Sequence, residues 1–113
     1  MERARVLIGD EWQQGDGGEY AVVGPATEEV VGLAPEASVR QVGAAAAAAR
    51  LAWPAWSRRD RKERATLLAR AAEAITAHAE ALFPTVVAET GCTAAVGRQM
   101  QIPVAAQRFA AVE

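Results

Sequence analysis

Ser38-Val39-Arg40-Gln41-Val42-Gly43, then six alanines from Ala44 to Ala49, then Arg50-Leu51-Ala52-Trp53-Pro54-Ala55-Trp56-Ser57: this stretch decides the fold. Ser38 is placed to accept a hydrogen bond from the N–H three residues on. Gln41 is placed to reach back to the N–H of Ser38, which completes the reciprocal capping box of a helix start. Alanine favours the helix because it loses no side-chain rotamer freedom there. Pro54 has no N–H and disfavours helical backbone at Trp53, so it is expected to stop the helix. Trp53 and Trp56 place two large apolar bodies beside that stop. Alanine on so many faces implies that another surface packs closely against this helix.

Upstream, the sequence predicts two β-hairpins between residues 3 and 33. Arg3 to Gln13 reads as the first, with the β-formers Val6, Leu7 and Ile8, a two-residue Gly9-Asp10 turn, and Trp12 on the return strand. After the breaker Gly15-Asp16-Gly17-Gly18, Tyr20 to Val23 and Val30 to Leu33 form the second, joined by a turn over Gly24 to Glu29. A two-stranded hairpin is only marginally stable in water, so both need a partner surface. Downstream, residues 38–113 read as helical. Asp60 and Glu63 suggest a second capping box. Leu68, Ala72, Ile75, Ala79 and Leu82 recur at helical spacing. Pro84 should break or kink that pattern, leaving a shorter helix that ends near Thr90 with Gly91 as a left-handed cap. A last helix is expected from Thr93 towards Val112, with Ile102, Ala106 and Phe109 on one face. Pro103 lies inside it and should kink it or move its start.

At 113 residues, the chain is one small domain or a piece of a larger one. Half its residues are hydrophobic, but alanine supplies much of that share and little buried area. A net charge of −2 gives no electrostatic case for nucleic acid. The basic run Arg58-Arg59-Asp60-Arg61-Lys62 is interrupted by Asp60 and reads as a solvated helix entry. No apolar run is long enough for a membrane span or a signal core. The one cysteine, Cys92, cannot form an internal disulfide, which makes the cytoplasm the default compartment.

Little in the sequence carries chemistry. Gly15-Asp16-Gly17-Gly18 lacks the helix start and the Gly-Lys-Ser/Thr ending of a phosphate loop, and it reads as a turn. His78, the only histidine, cannot form a two-histidine zinc motif and reads as a structural or surface residue. Cys92 would sit near a helix N-terminus, where the dipole favours a thiolate. A nucleophile also needs a base and an oxyanion site, and the sequence places neither. An independent thiol enzyme using Cys92 is therefore the weakest of the readings.

Four stretches together resemble the N-terminal region of the aldehyde dehydrogenase superfamily. Leu7-Ile8-Gly9-Asp10-Glu11-Trp12 is similar to the family's opening Ile-Asn-Gly-Glu-Trp. Val22-Val23-Gly24-Pro25-Ala26-Thr27-Glu28-Glu29-Val30-Val31-Gly32 is similar to Val-Asn-Pro-Ala-Thr-Gly-Glu-Val-Ile-Gly. Val42 to Trp56 resembles the first helix with its Ala-Phe-x-x-Trp ending. Arg64 to Leu82 and Glu89-Thr90-Gly91 resemble the Glu-Arg-Ala-x-x-Leu helix and the Glu-Thr-Gly-Lys-Pro turn. The departures are Gly24 where Asn is usual, Glu28 where Gly is usual, and Cys92-Thr93 where Lys-Pro is usual.

The resemblance implies an α+β fragment: two N-terminal β-hairpins followed by three to four α-helices. This is the start of an aldehyde dehydrogenase-like α/β fold whose parallel Rossmann-type sheet is missing, so residues 1–113 form part of the cofactor domain. The abrupt end at Glu113, with no helix stop signal, reads as truncation. The family oxidises an aldehyde to a carboxylic acid with NAD or NADP, through a cysteine thiolate and a glutamate-activated water. That cysteine follows a Gly-Gln pair far downstream and is not Cys92. No catalytic or cofactor-binding residue is assigned here, and no cofactor is expected for this chain alone. Some members hold a monovalent cation through hairpin carbonyls and a nearby acid, which carries over to Val22 and Glu89. The implied partner is the remainder of an aldehyde dehydrogenase chain or subunit. The alternative is a non-catalytic interaction module that self-associates as a homo-oligomer or pairs with a dehydrogenase chain.

Overall fold

The computed structural model describes residues 4–111. Arg3 and Val112, where the first hairpin and the last helix are expected to begin and end, lie outside the described residues. The architecture is α+β, with two antiparallel hairpins followed by helices. It divides into two compact units. One holds residues up to Val23 together with Glu28–Arg58, and the other holds Gly24–Thr27 together with residues from Arg59 on.

In the first unit, β1 (Val6–Ile8) pairs with β2 (Glu11–Gln13) across Gly9-Asp10, with Ile8 opposite Glu11. Gly9 has φ +64°, a left-handed value that suits a two-residue hairpin turn. Strands β3 (Gly18–Val23) and β4 (Val30–Glu36) form the second hairpin, with a register shift between Val22 and Val23. These strands are longer than the residue types suggest. Pro35 extends β4 opposite Glu19, which a two-stranded sheet tolerates because each strand keeps a free edge. Helix α1 (Val39–Ser57) starts at Ser38 with the expected capping box, and it packs on β1.

The expectation that Pro54 stops this helix is wrong. Pro54 lies inside α1, which continues to Ser57. Fifteen helical residues precede Pro54, and propagating a formed helix is easy. Only one further turn follows, so the proline costs the bond to the Arg50 carbonyl without ending the element.

In the second unit, α2 (Arg61–Ala77) packs on α5 (Ile102–Ala110). Asp60 stands at the N-cap of α2, but its side chain makes no capping bond, so the predicted capping box does not form. The first turn of α2 is exposed, and water can serve its free N–H groups instead. The break expected at Pro84 occurs at His78. There ψ turns to 9°, the backbone N–H donates to the Ala74 carbonyl at 3.1 Å, and Nδ1 lies 2.8 Å from the same oxygen. The same residue starts the next helix, its carbonyl accepting from Leu82 N–H at 3.0 Å. Pro84 is carried inside α3 (Ala79–Thr90). Beyond the break Leu82 is exposed, whereas Ala72 is buried and Leu68 and Ile75 are half-buried.

Helix α3 ends at Gly91, φ +66°, whose N–H donates to the Val87 carbonyl at 2.9 Å. Thr93 then caps α4 (Ala94–Val96) through its hydroxyl, which accepts from Val96 N–H at 3.3 Å. A π-helical turn over Gly97–Gln101 joins α4 to α5. It contains a long bond from Ile102 N–H to the Gly97 carbonyl. The wider turn accommodates Pro103, which can neither donate to nor fit against the carbonyl one α-turn back. Among the described residues, the buried hydrophobic side chains are Ala72, Ile102 and Ala106, while Phe109 is exposed. No helix of the described residues is long and apolar enough to cross a membrane.

Candidate functional site

The most buried side chain of the first unit is polar. Gln41, 1% exposed, accepts from Asp16 N–H at 2.8 Å and from Ser38 N–H at 3.2 Å, and its amide donates to the Gln14 carbonyl at 2.7 Å. A buried amide with its bonds made is stabilising, whereas one stripped of partners is costly. Arg40 and the Ser38 hydroxyl both reach the Asp16 carboxylate. The glycine-rich stretch is therefore a loop pinned to the start of α1. It leads into β3 rather than into a helix, so it offers no helix N-terminus to a phosphate and does not fit a dinucleotide. The capping box made Gln41 legible in the sequence. Its grip on residues 14–16 was not, because that pairing joins residues 25 and 27 apart.

In the second unit, a cavity of about 390 Å³ is lined in part by Phe83, Ile102, Pro103 and Ala106. Arg98 at its edge stacks over the Phe83 ring, 4.0 Å from the centroid, and pairs with Glu80. Nothing in the local sequence signals this cluster, because the pair joins residues 18 apart, Glu80 in α3 and Arg98 in the π turn.

The residues singled out for chemistry are each placed within their own unit. Cys92 is free and half-buried, and its N–H donates to the Thr90 hydroxyl at 3.2 Å. His78 is exposed and bound to its own helix. Val22 is half-buried in β3 of the first unit, opposite Gly32, and Glu89 is exposed near the end of α3 in the second. Among the described residues, no group of three His, Cys, Asp or Glu side chains is placed to hold a metal ion.

The aldehyde dehydrogenase family model matches residues 12–112. The chain belongs to the aldehyde dehydrogenase family. Solved structures agree with this family assignment. HpcC from Thermus thermophilus is 35% identical with a TM-score of 0.89, over 96% of this chain and 21% of that one. A mutant of aldehyde dehydrogenase C from Pseudomonas syringae, in complex with NAD+ and octanal, is 34% identical with a TM-score of 0.85, over 94% and 22%. An NAD-dependent benzaldehyde dehydrogenase from Corynebacterium glutamicum is 27% identical with a TM-score of 0.85, over 95% and 23%. A comparison with curated proteins found no match. This aldehyde dehydrogenase-family chain spans about a fifth of the length of each of those structures, and its elements are those of the family's N-terminal portion.

Proposed function

We propose that these 113 residues supply the N-terminal, cofactor-domain part of an NAD(P)-dependent aldehyde dehydrogenase and turn over no substrate alone. The observation that carries this reading is the asymmetry of coverage. Nearly the whole chain overlays on aldehyde dehydrogenase structures, yet it occupies about a fifth of them. The family's thiolate attack, hydride transfer to NAD(P)+ and thioester hydrolysis need a Gly-Gln-x-Cys nucleophile and a dinucleotide site. Cys92 follows Thr90-Gly91 instead, and no phosphate cradle is formed by the glycine-rich loop. The role of this part is to present α1 and the hairpins as a packing surface for the rest of such an enzyme.

By resemblance, Val22 and Glu89 are assigned to a monovalent cation in that complete enzyme. If they serve it, Glu89→Gln in the complete enzyme should remove the difference in melting temperature between potassium and tetramethylammonium buffers. An unchanged difference would withdraw the assignment. The compartment we assign, the cytoplasm, rests on the single unpaired cysteine.

The exposed Leu7, Trp12, Leu51 and Trp53 favour a second reading, a non-catalytic module that pairs with itself or with a dehydrogenase chain. The deciding experiment is the intact mass of the native protein in its source cells, detected with an antibody to this chain. A species several times heavier, with aldehyde-dependent NAD(P)H formation, supports the first reading. A species of 11.9 kDa that co-purifies with a partner, or as an oligomer, supports the second.

A further inference from the structure

We draw no further inference here: the strongest candidate, the cavity between α2, α3 and α5 beneath Arg98, carries nothing, because Arg98 and Glu80 at its edge already satisfy each other and nothing in the structure shows what covers it.

Discussion

Two positions show how single residues set the backbone of this chain. Glu28 has φ +59°, the left-handed region where a Cβ is strained, and it stands where the family pattern has glycine. The turn keeps the glycine geometry without the glycine. Glu28→Gly is therefore expected to raise stability by about 0.5–1 kcal/mol, the relief of strain being partly offset by the extra freedom of the unfolded chain. A urea melt at constant m-value would measure it, and a loss of stability would show that the Glu28 side chain makes up for its backbone. Gly91 is constrained twice, by φ +66° and by Pro25, whose Cγ would lie 2.6 Å from an added Cβ. Gly91→Ala should cost about 2–3 kcal/mol, of which the backbone part is about 1–2. Pairing it with Pro25→Ala separates the two. The double variant should recover the steric part only, and if the effects simply add, the Pro25 contact is not the source of the cost.

At the scale of elements, residues that close local hydrogen bonds were legible and those that answer to the surrounding helix were not. Ser38 and Gln41 fixed the start of α1, Gly9-Asp10 the first hairpin, and Gly91 the end of α3, because each acts within four residues of itself. Pro54 and Pro84 misled because proline's penalty is one term among many, and a helix already formed on its N-terminal side absorbs it. The helix breaks at His78 instead, where φ is −98° and ψ is 9°, and no local sequence signal marks that residue. Of the candidate site, the family was legible in the motifs. The Arg98–Phe83–Glu80 cluster was not, since the π turn sets the facing of Arg98. Two predictions belong here. Pro54→Ala restores an N–H to the last turn of α1 and should stabilise by about 1 kcal/mol with a rise in helical circular dichroism; a fall in both would mean that the ring packs usefully. Gln41→Ala strands the Asp16 N–H and the Gln14 carbonyl beside a new void, and should cost about 2–4 kcal/mol. Hydrogen exchange at Asp16 should rise with it, and an unaffected Asp16 amide would show that the loop is held by the Arg40 ion pair rather than by Gln41.

Over the whole molecule, the balance between buried and exposed apolar surface sets the behaviour in solution. Ala72, Ile102 and Ala106 are the buried hydrophobic residues among those described, and two of them are alanines, which bring little area out of water. Against that stand Leu51 at 82% exposure, Trp12 at 63% and Trp53 at 62%. A soluble monomer rarely leaves such residues open in number, and a small core gives it little reserve of stability. The isolated chain is therefore expected to bind 8-anilinonaphthalene-1-sulfonate, to melt over a broad range and to self-associate as its concentration rises. Sedimentation velocity across a hundredfold dilution series checks the association, and the dye titration checks the exposed surface. Supplying the remainder of an aldehyde dehydrogenase as a separate chain should then suppress both signals, because the packing surface of α1 and the hairpins would be covered. A sharp melt and a monodisperse monomer without dye binding would mean that the two units satisfy themselves. The proposal that they serve as a surface for a larger enzyme would then lose its physical basis.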